Sequence, residues 1–349
     1  MLVAGKAEPK RGIRIWEKPE PGIVDNNDVL LEIEACGICG TDLEIYEWPE
    51  ENLPNWMRNL PLPVVLGHEA VGRVRDIGSA VTRFKRGDRV VHASTGGCGV
   101  CFFCRSGLLN LCAARASKIP GIMNDGAYAK YAVITDYALF KIPEDIPVAT
   151  AAVMQPLTVA VHAMERSHML PGDQVVVIGP GPQGLMQAMM ARACGASDVI
   201  VAGLEIDRGR LDIASNLGAE AVNTARQNLK EKVLSITDGR GADVVFDCAG
   251  GSKTLNIAVD VVRKGGEIIV VGVGTSGEFD QNQIMQKEIT IRGSSGRLPT
   301  TWDRTMNLLR SRMISLESIV SHVLPLEKAE EAFELLHRKE AVKVVLTPE

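Results

Sequence analysis

Apolar and polar residues alternate through 29–35 (VLLEIEA), the period-two signature of a strand with one buried face. Short β-rich runs recur at 70–77, 89–93, 128–134 and 139–142, with Gly and Pro between them. They predict an irregular, mostly β first domain. After residue 150 the texture changes. An unbroken apolar run at 174–178 leads through a Gly-rich turn into a buried helix at 185–194 and a second apolar run at 199–202, which reads as a βαβ unit. Further apolar runs at 244–248, 267–273 and 289–292 extend this to a parallel sheet of about six strands. A dinucleotide-type α/β domain is therefore expected at 154–292. The last segment, 293–349, carries helical sequence near 301–310 and 326–339 and the apolar run VKVVL at 342–346. It is too short for a third domain and is expected to complete the first, which then comprises 1–153 and 293–349.

Composition narrows the class. A chain of 349 residues exceeds the ~100–200 of one domain, and 46% hydrophobic content with 34 glycines fits a globular α/β protein and excludes a disordered or fibrous one. The 38 basic against 43 acidic side chains leave a formal charge of −5, which gives no overall footprint for a nucleic-acid backbone. Charges at Lys6, Glu8, Lys10 and Arg11 interrupt any signal-length apolar stretch, and nowhere do ~18 consecutive apolar residues occur. The expectation is a cytoplasmic protein without membrane or nucleic-acid partners, whose eight cysteines bind metal or stay free.

Four of those cysteines, Cys98, Cys101, Cys104 and Cys112, form C-x2-C-x2-C-x7-C in a Gly-containing loop at about 96–113. Four thiolates close a tetrahedral shell around zinc and leave no open position, so the site reads as structural. An iron–sulfur cluster is the competing reading, although the spacings do not match ferredoxin patterns. A second set combines Cys39 in ACGICGTD with His68 and Glu69 in VVLGHEAVG. Sulfur and imidazole suit zinc, and a site with fewer than four firm ligands admits water or substrate. Taken singly, the same residues also read as a buried thiol and a surface salt bridge. The remaining Cys36, Cys194 and Cys248 sit in apolar contexts and read as core.

Gly179, Gly181 and Gly184 spell G-x-G-x-x-G directly after a predicted strand, with Pro182 and Gln183 opening the following helix. The first Gly permits the turn, the second lets a pyrophosphate approach the backbone, and the third allows close helix–strand packing. The next strand should end in an acid that grips the ribose diol, yet nineteen residues past Gly184 stands Gly203. Glu205 could reach the diol, or Arg208 and Arg210 a 2′-phosphate, which leaves NAD and NADP both open.

GICGTD at 37–42, GHE at 67–69, the four-cysteine loop, QPLTVAVHA at 155–163 and GPGPQG at 179–184 occur in the order found in the zinc-containing medium-chain alcohol dehydrogenase family, which the whole chain resembles. The resemblance is to the polyol branch (sorbitol, xylitol and butanediol dehydrogenases) and to threonine 3-dehydrogenases. It implies a GroES-like catalytic domain, a Rossmann domain, two zinc ions per chain, NAD or NADP, and a homo-oligomer, dimer or tetramer. It further implies that Cys39, His68, Glu69 and position 155 hold the catalytic zinc. The hydroxyl of Thr41 would receive the substrate proton, Thr158 would lie beside the nicotinamide ring, and Val273 would contact the cofactor. Tyr46, Trp48 and Arg297 would belong to the substrate pocket, whose mouth would be shaped by the long insertion between the ligand motifs, with Trp48 and Trp56.

The chain departs from the family at three places. Gln155 replaces the usual Glu and is a weaker ligand. Glu44 stands where several relatives carry a proton-relaying His, so that Glu44 or water must take that role. Thr95 occupies the position of the catalytic His of threonine dehydrogenases, with His92 nearby but out of register. The Thr95 departure favours oxidation of a polyol, sugar or other secondary alcohol to a ketone over that of threonine, whereas Gln155 and Glu44 leave an inactive relative open. The alternatives are a threonine 3-dehydrogenase, a zinc-independent enone or quinone reductase, and an inactive nucleotide-sensing relative.

Overall fold

The computed structural model describes the chain except Thr95, residues 115–118, Thr275 and Glu349, together with the side chain of Asn52. The chain divides into two compact units. The first comprises Met1–Pro156, Leu298–Met306 and Val320–Glu349, and the second Leu157–Arg297 and Asn307–Ile319. The segment 307–319, expected with the first domain, thus groups with the second, where Ile314, Leu316 and Ile319 are buried.

The first unit opens with strands β1 (Leu2–Lys6), β2 (Arg14–Glu17), β3 (Asp28–Gly37), β4 (Val64–Val65), β5 (Glu69–Ile77), β6 (Arg89–His92), β7 (Tyr131–Thr135) and β8 (Leu139–Lys141). Its centre is β3, the alternating segment, whose Val29, Leu31, Ile33 and Ala35 point into the core while Glu32 faces solvent. One side of β3 pairs antiparallel with β5 along its length. The other takes β7 at Asp28–Glu32. Two bulges in the β3–β5 ladder, at Leu30/Leu31 and Ile33/Ala35, bend the pair, as an extra residue on one strand does.

In the second unit, β9 (Gln174–Ile178), β10 (Asp198–Gly203), β11 (Glu220–Asn223), β12 (Ala242–Asp247), β13 (Val262–Val270) and β14 (Thr290–Gly293) form one parallel sheet in the order β11-β10-β9-β12-β13-β14. That is the doubly wound Rossmann order, with its reversal between β9 and β12. Val175, Val176 and Val177 of β9 are completely buried, because helices cover both faces of such a sheet. The chain then returns as β15 (Val320–Pro325) and β16 (Lys343–Thr347), and β16 pairs with Cys36 and Gly37 at the end of β3. The carboxy-terminal strand thereby reaches the segment that leads into Cys39.

Candidate metal centre and dinucleotide loop

Beyond β3 the chain turns into the helix Gly40–Glu47, with Cys39 as its extended N-cap. Asp42, at the third helical position, accepts a hydrogen bond from the Cys39 backbone N–H (2.9 Å), half of a capping box that fixes the start of the helix. From the other direction, Gly67 (φ +96°) delivers the chain to His68 and Glu69 at the head of β5. Gly67 cannot be larger, since a Cβ there would lie 2.4 Å from the Tyr128 ring. Gly37 is constrained likewise: its Cβ would lie 2.4 Å from Glu69 Oε2.

The two approaches bring Cys39, His68 and Glu69 together, with one ligand atom from each lying within 4.8 Å of the others. Asp42, wholly buried, sits behind His68 with Oδ1 3.5 Å from Nδ1, and the Tyr128 hydroxyl donates to its other oxygen (2.9 Å). A carboxylate at this distance favours a proton on Nδ1, which would leave Nε2 as the ligand atom. Glu69 Oε2 pairs with Lys343 Nζ (2.5 Å), while its other oxygen, Oε1, is buried without a hydrogen-bond partner. Lys343 also donates to the Ile38 carbonyl (2.7 Å). Burial alone would lower the pKa of His68, but Asp42 and Cys39 outweigh it and raise the value well above the ordinary one. Burial would likewise lower that of Lys343, and Glu69 and Cys39 reverse this. The field of the site favours positive charge. An orphaned carboxylate oxygen, a sulfur and an oriented imidazole converging on one point are a fitting donor set for a zinc ion with an open position.

Gln155 is buried in the first turn of the helix Met154–Arg166. Thr41 and Glu44 are half-buried on the helix that Cys39 caps, and burial raises the Glu44 carboxyl above its usual range. Tyr46 and Trp48, expected in the substrate pocket, are core residues instead. Tyr46 stacks on Phe333 (5.1 Å between centroids) and its hydroxyl donates to Glu334, while Trp48 ends the helix in the left-handed region (φ 47°) and lies over Lys6. Ile45 and Tyr46 in the last turn of this helix are buried in the core of the first unit. Arg297 is buried in the second unit, and Thr95 lies outside the described residues.

The sulfurs of Cys98, Cys101, Cys104 and Cys112 likewise fall within 4.8 Å of one another. Backbone N–H groups turn towards them: Cys98 donates to Cys112 Sγ (3.4 Å), Cys101 to Cys98 Sγ (3.3 Å) and Cys104 to Cys101 Sγ (3.5 Å). The N–H groups of Val100 and Cys101 bring the Cys98 thiol down to about 6. At Gly97 a Cβ would come within 2.6 Å of Cys104 Sγ, so the loop closes only around a glycine.

In the second unit, Gly179 (φ +96°) makes the turn after β9, and Gly181 caps the helix Pro182–Ala193 with Pro182 in its first turn. A Cβ at Gly184 would lie 1.8 Å from the Gly179 carbonyl oxygen, whereas one at Gly181 meets nothing within 4 Å. The first and third glycines are therefore required by backbone conformation and close contact, and the middle glycine leaves space for a pyrophosphate against Gln183 and its neighbours at the helix start. Gly203 has its own reason: a Cβ there would meet the Pro180 ring at 2.6 Å, which excludes the acid usual at that point. Glu205 is exposed and accepts from Arg226 Nε (2.7 Å) and Asn223 Nδ2 (2.5 Å), one arm of a surface ion pair. Arg208 is exposed and Arg210 leans towards Asp207 (3.8 Å). Thr158 is buried, and Val273 is exposed in the loop after β13.

Sequence reasoning missed Asp42, Tyr128, Lys343 and Arg226. Lys343 carried a signal, a lone cation inside the apolar run VKVVL, because a charge in a buried strand requires a partner.

Residues 25–144 match the alcohol dehydrogenase GroES-like domain, and residues 182–311 match the zinc-binding dehydrogenase domain. A sorbitol dehydrogenase of Halalkalibacterium halodurans is 36% identical over 96% of this chain and 95% of its own length. An L-threonine 3-dehydrogenase of Shewanella frigidimarina is 34% identical over 99% of both. Among solved structures, an alcohol dehydrogenase from Thermus sp. ATN1 superimposes with a TM-score of 0.89 at 32% identity, covering 100% of each chain.

Proposed function

From a chain that belongs to the zinc-containing medium-chain alcohol dehydrogenase family, in its polyol and threonine dehydrogenase branch, we infer oxidation of a secondary alcohol of the polyol or sugar type to a ketone. The broader activity, NAD(P)-linked alcohol oxidoreduction by a zinc-type enzyme, is that of the family. The observation that carries the reading is the convergence of Cys39, His68 and Glu69, with Asp42 directing His68.

Cys39, His68 and Glu69 would hold the catalytic zinc, with Gln155 as a neutral fourth ligand or a partner of bound water. Cys98, Cys101, Cys104 and Cys112 would hold a structural one, two per chain. When bound, zinc would supply Lewis acidity that makes an alcohol oxygen easier to deprotonate, and a nicotinamide cofactor would supply the hydride acceptor. Everything else falls to the chain. Asp42 and Tyr128 fix the His68 tautomer, and Lys343 restrains one oxygen of Glu69. Thr41 takes the substrate proton through its hydroxyl, and Glu44, whose carboxyl burial keeps closer to neutral pH, passes it on with or without water. Gly179, Gly181 and Gly184 seat the pyrophosphate, and Thr158 and Val273 flank the nicotinamide end. Glu205, Arg208, Arg210 and Arg226 decide between NAD and NADP. A cytoplasmic dimer or tetramer accords with this role.

Zinc-replete protein assayed with polyols, sugars, 2,3-butanediol and L-threonine, each with NAD and NADP, tests the assignment. Cofactor reduction with a polyol or sugar supports it. Preference for L-threonine would move the chain to the neighbouring activity of its branch, and absence of reduction with every alcohol would overturn the enzyme reading.

A further inference from the structure

The ladder between β5 and β6 runs through Arg73–Arg89, Gly72–Val90 and Val71–Val91, and there it stops. Continuing that register would set His68 opposite Ser94. At that point the second strand leaves the sheet: Ser94 has φ +46°, a left-handed conformation uncommon for a residue with a Cβ. The His68 carbonyl is served by side chains instead. Ser94 Oγ donates to it at 2.8 Å, and His92 Nδ1 lies 2.9 Å from the same oxygen. A carbonyl can only accept, so His92 carries its proton on Nδ1. His92, Ser94 and His68 are all buried, at 1%, 4% and 4% exposure, where the loss of a donor is not made good by water.

We propose that His92 and Ser94 are positioning residues of the metal centre: where the sheet gives out, their two side-chain donors clamp the His68 carbonyl and so fix the direction in which His68 and Glu69 project. The ladder parts here on the β6 side only, since Glu69 still pairs with Gly37 of β3. A backbone released from it without a clamp would let His68 rotate away from Asp42. The left-handed turn at Ser94 is the strained element that brings the hydroxyl back to the carbonyl. The proposal rests on the metal role of Cys39, His68 and Glu69.

The test uses the full-length chain loaded with zinc or with cobalt(II), and the variants Ser94→Gly, His92→Leu, His92→Asn and Cys39→Ser. Glycine adopts a positive φ without strain, so Ser94→Gly is expected to melt no lower than wild type in the metal-free state. Its zinc release to a chelator is expected to quicken about tenfold, with a changed cobalt absorption spectrum, the scale on which partners of metal ligands act. His92→Leu is expected to behave in the same way, and His92→Asn, which keeps a donor, to restore most of the retention. If Ser94→Gly and His92→Leu release zinc at the wild-type rate with unchanged cobalt spectra, while Cys39→Ser loses its metal, the clamp is refuted and the metal site stands. If the wild-type spectrum is unmoved by Cys39→Ser, the metal reading falls and the clamp with it.

Discussion

Lys343 Nζ lies 2.5 Å from Glu69 Oε2, and the two side chains are exposed by only 3% and 0%. An ion pair sealed this completely persists only when both partners are present, because a lone buried charge has neither water nor a counter-ion. Lys343→Met is expected to lower stability by about 3–5 kcal/mol. Lys343→Arg should cost less, since it keeps the charge but must fit a larger head group. Thermal unfolding of the three proteins checks this, and equal melting of Lys343→Met and wild type would contradict it.

Lys6 makes a prediction about pH. It is fully buried, donates from Nζ to the carbonyls of Lys10, Gly12 (3.0 Å) and Tyr46 (3.3 Å), and lies 5.0 Å from the centre of the Trp48 ring. Burial lowers its pKa from 10.5 to about 8, against an opposing pull from Glu47. Between those two values the unfolded chain binds the proton more tightly than the folded one, so the stability this group contributes rises with pH. Lys6→Met is expected to melt below wild type at neutral pH, by a deficit that widens from pH 8 to pH 10. Paired melting curves across that range measure it, and a deficit that narrows would show the sign to be wrong.

Glu205 occupies both nitrogens of the Arg226 fork, Nε at 2.7 Å and an outer nitrogen at 2.5 Å, at the end of the strand that borders the adenosine ribose in such folds. Glu205→Ala releases that guanidinium and removes a negative charge. The ratio of kcat/KM for NADP over NAD is expected to rise by about tenfold, which corresponds to roughly 1.4 kcal/mol. Steady-state kinetics with both cofactors decides it, and an unchanged ratio would remove the pair from cofactor choice.

Gly203→Asp would install the acid that the fingerprint normally carries, yet it is expected to do harm. The new Cβ would sit 2.6 Å from Pro180 in the loop that leads to the pyrophosphate site. Overpacking of this kind costs about 1–3 kcal/mol and displaces the loop. Calorimetric titration with NAD should show weaker binding than wild type. Tighter binding would mean that Pro180 yields.

These cases mark what the sequence makes legible. The glycine fingerprint, the four-cysteine loop and the Cys39–His68–Glu69 set are readable because local spacing expresses them: each ligand lies in a short motif, and the glycines are required by contacts within a few residues or by one neighbouring strand. The partners that tune the site are not readable in this way. Lys343 meets Glu69 across nearly the whole chain, Tyr128 reaches Asp42 from another loop, and Arg226 finds Glu205 only when β10 and β11 lie side by side. Tyr46 and Trp48 read as pocket residues yet are buried, because an aromatic in an insertion reads alike whether it lines a mouth or fills a core. Burial against Phe333 and Lys6 distinguishes them. Gly203 looked like a missing acid, and only the position of Pro180 explains it.

The central claim is that Cys39, His68 and Glu69 hold a catalytic zinc separate from that of the four-cysteine loop. Metal content by mass spectrometry, with turnover and NAD binding, compared between wild type and Cys39→Ser tests it most directly. Two zinc ions per chain falling to one, with turnover lost and nucleotide affinity retained, is the predicted result. An unchanged metal count, or full activity with the Cys39 site empty, would contradict it.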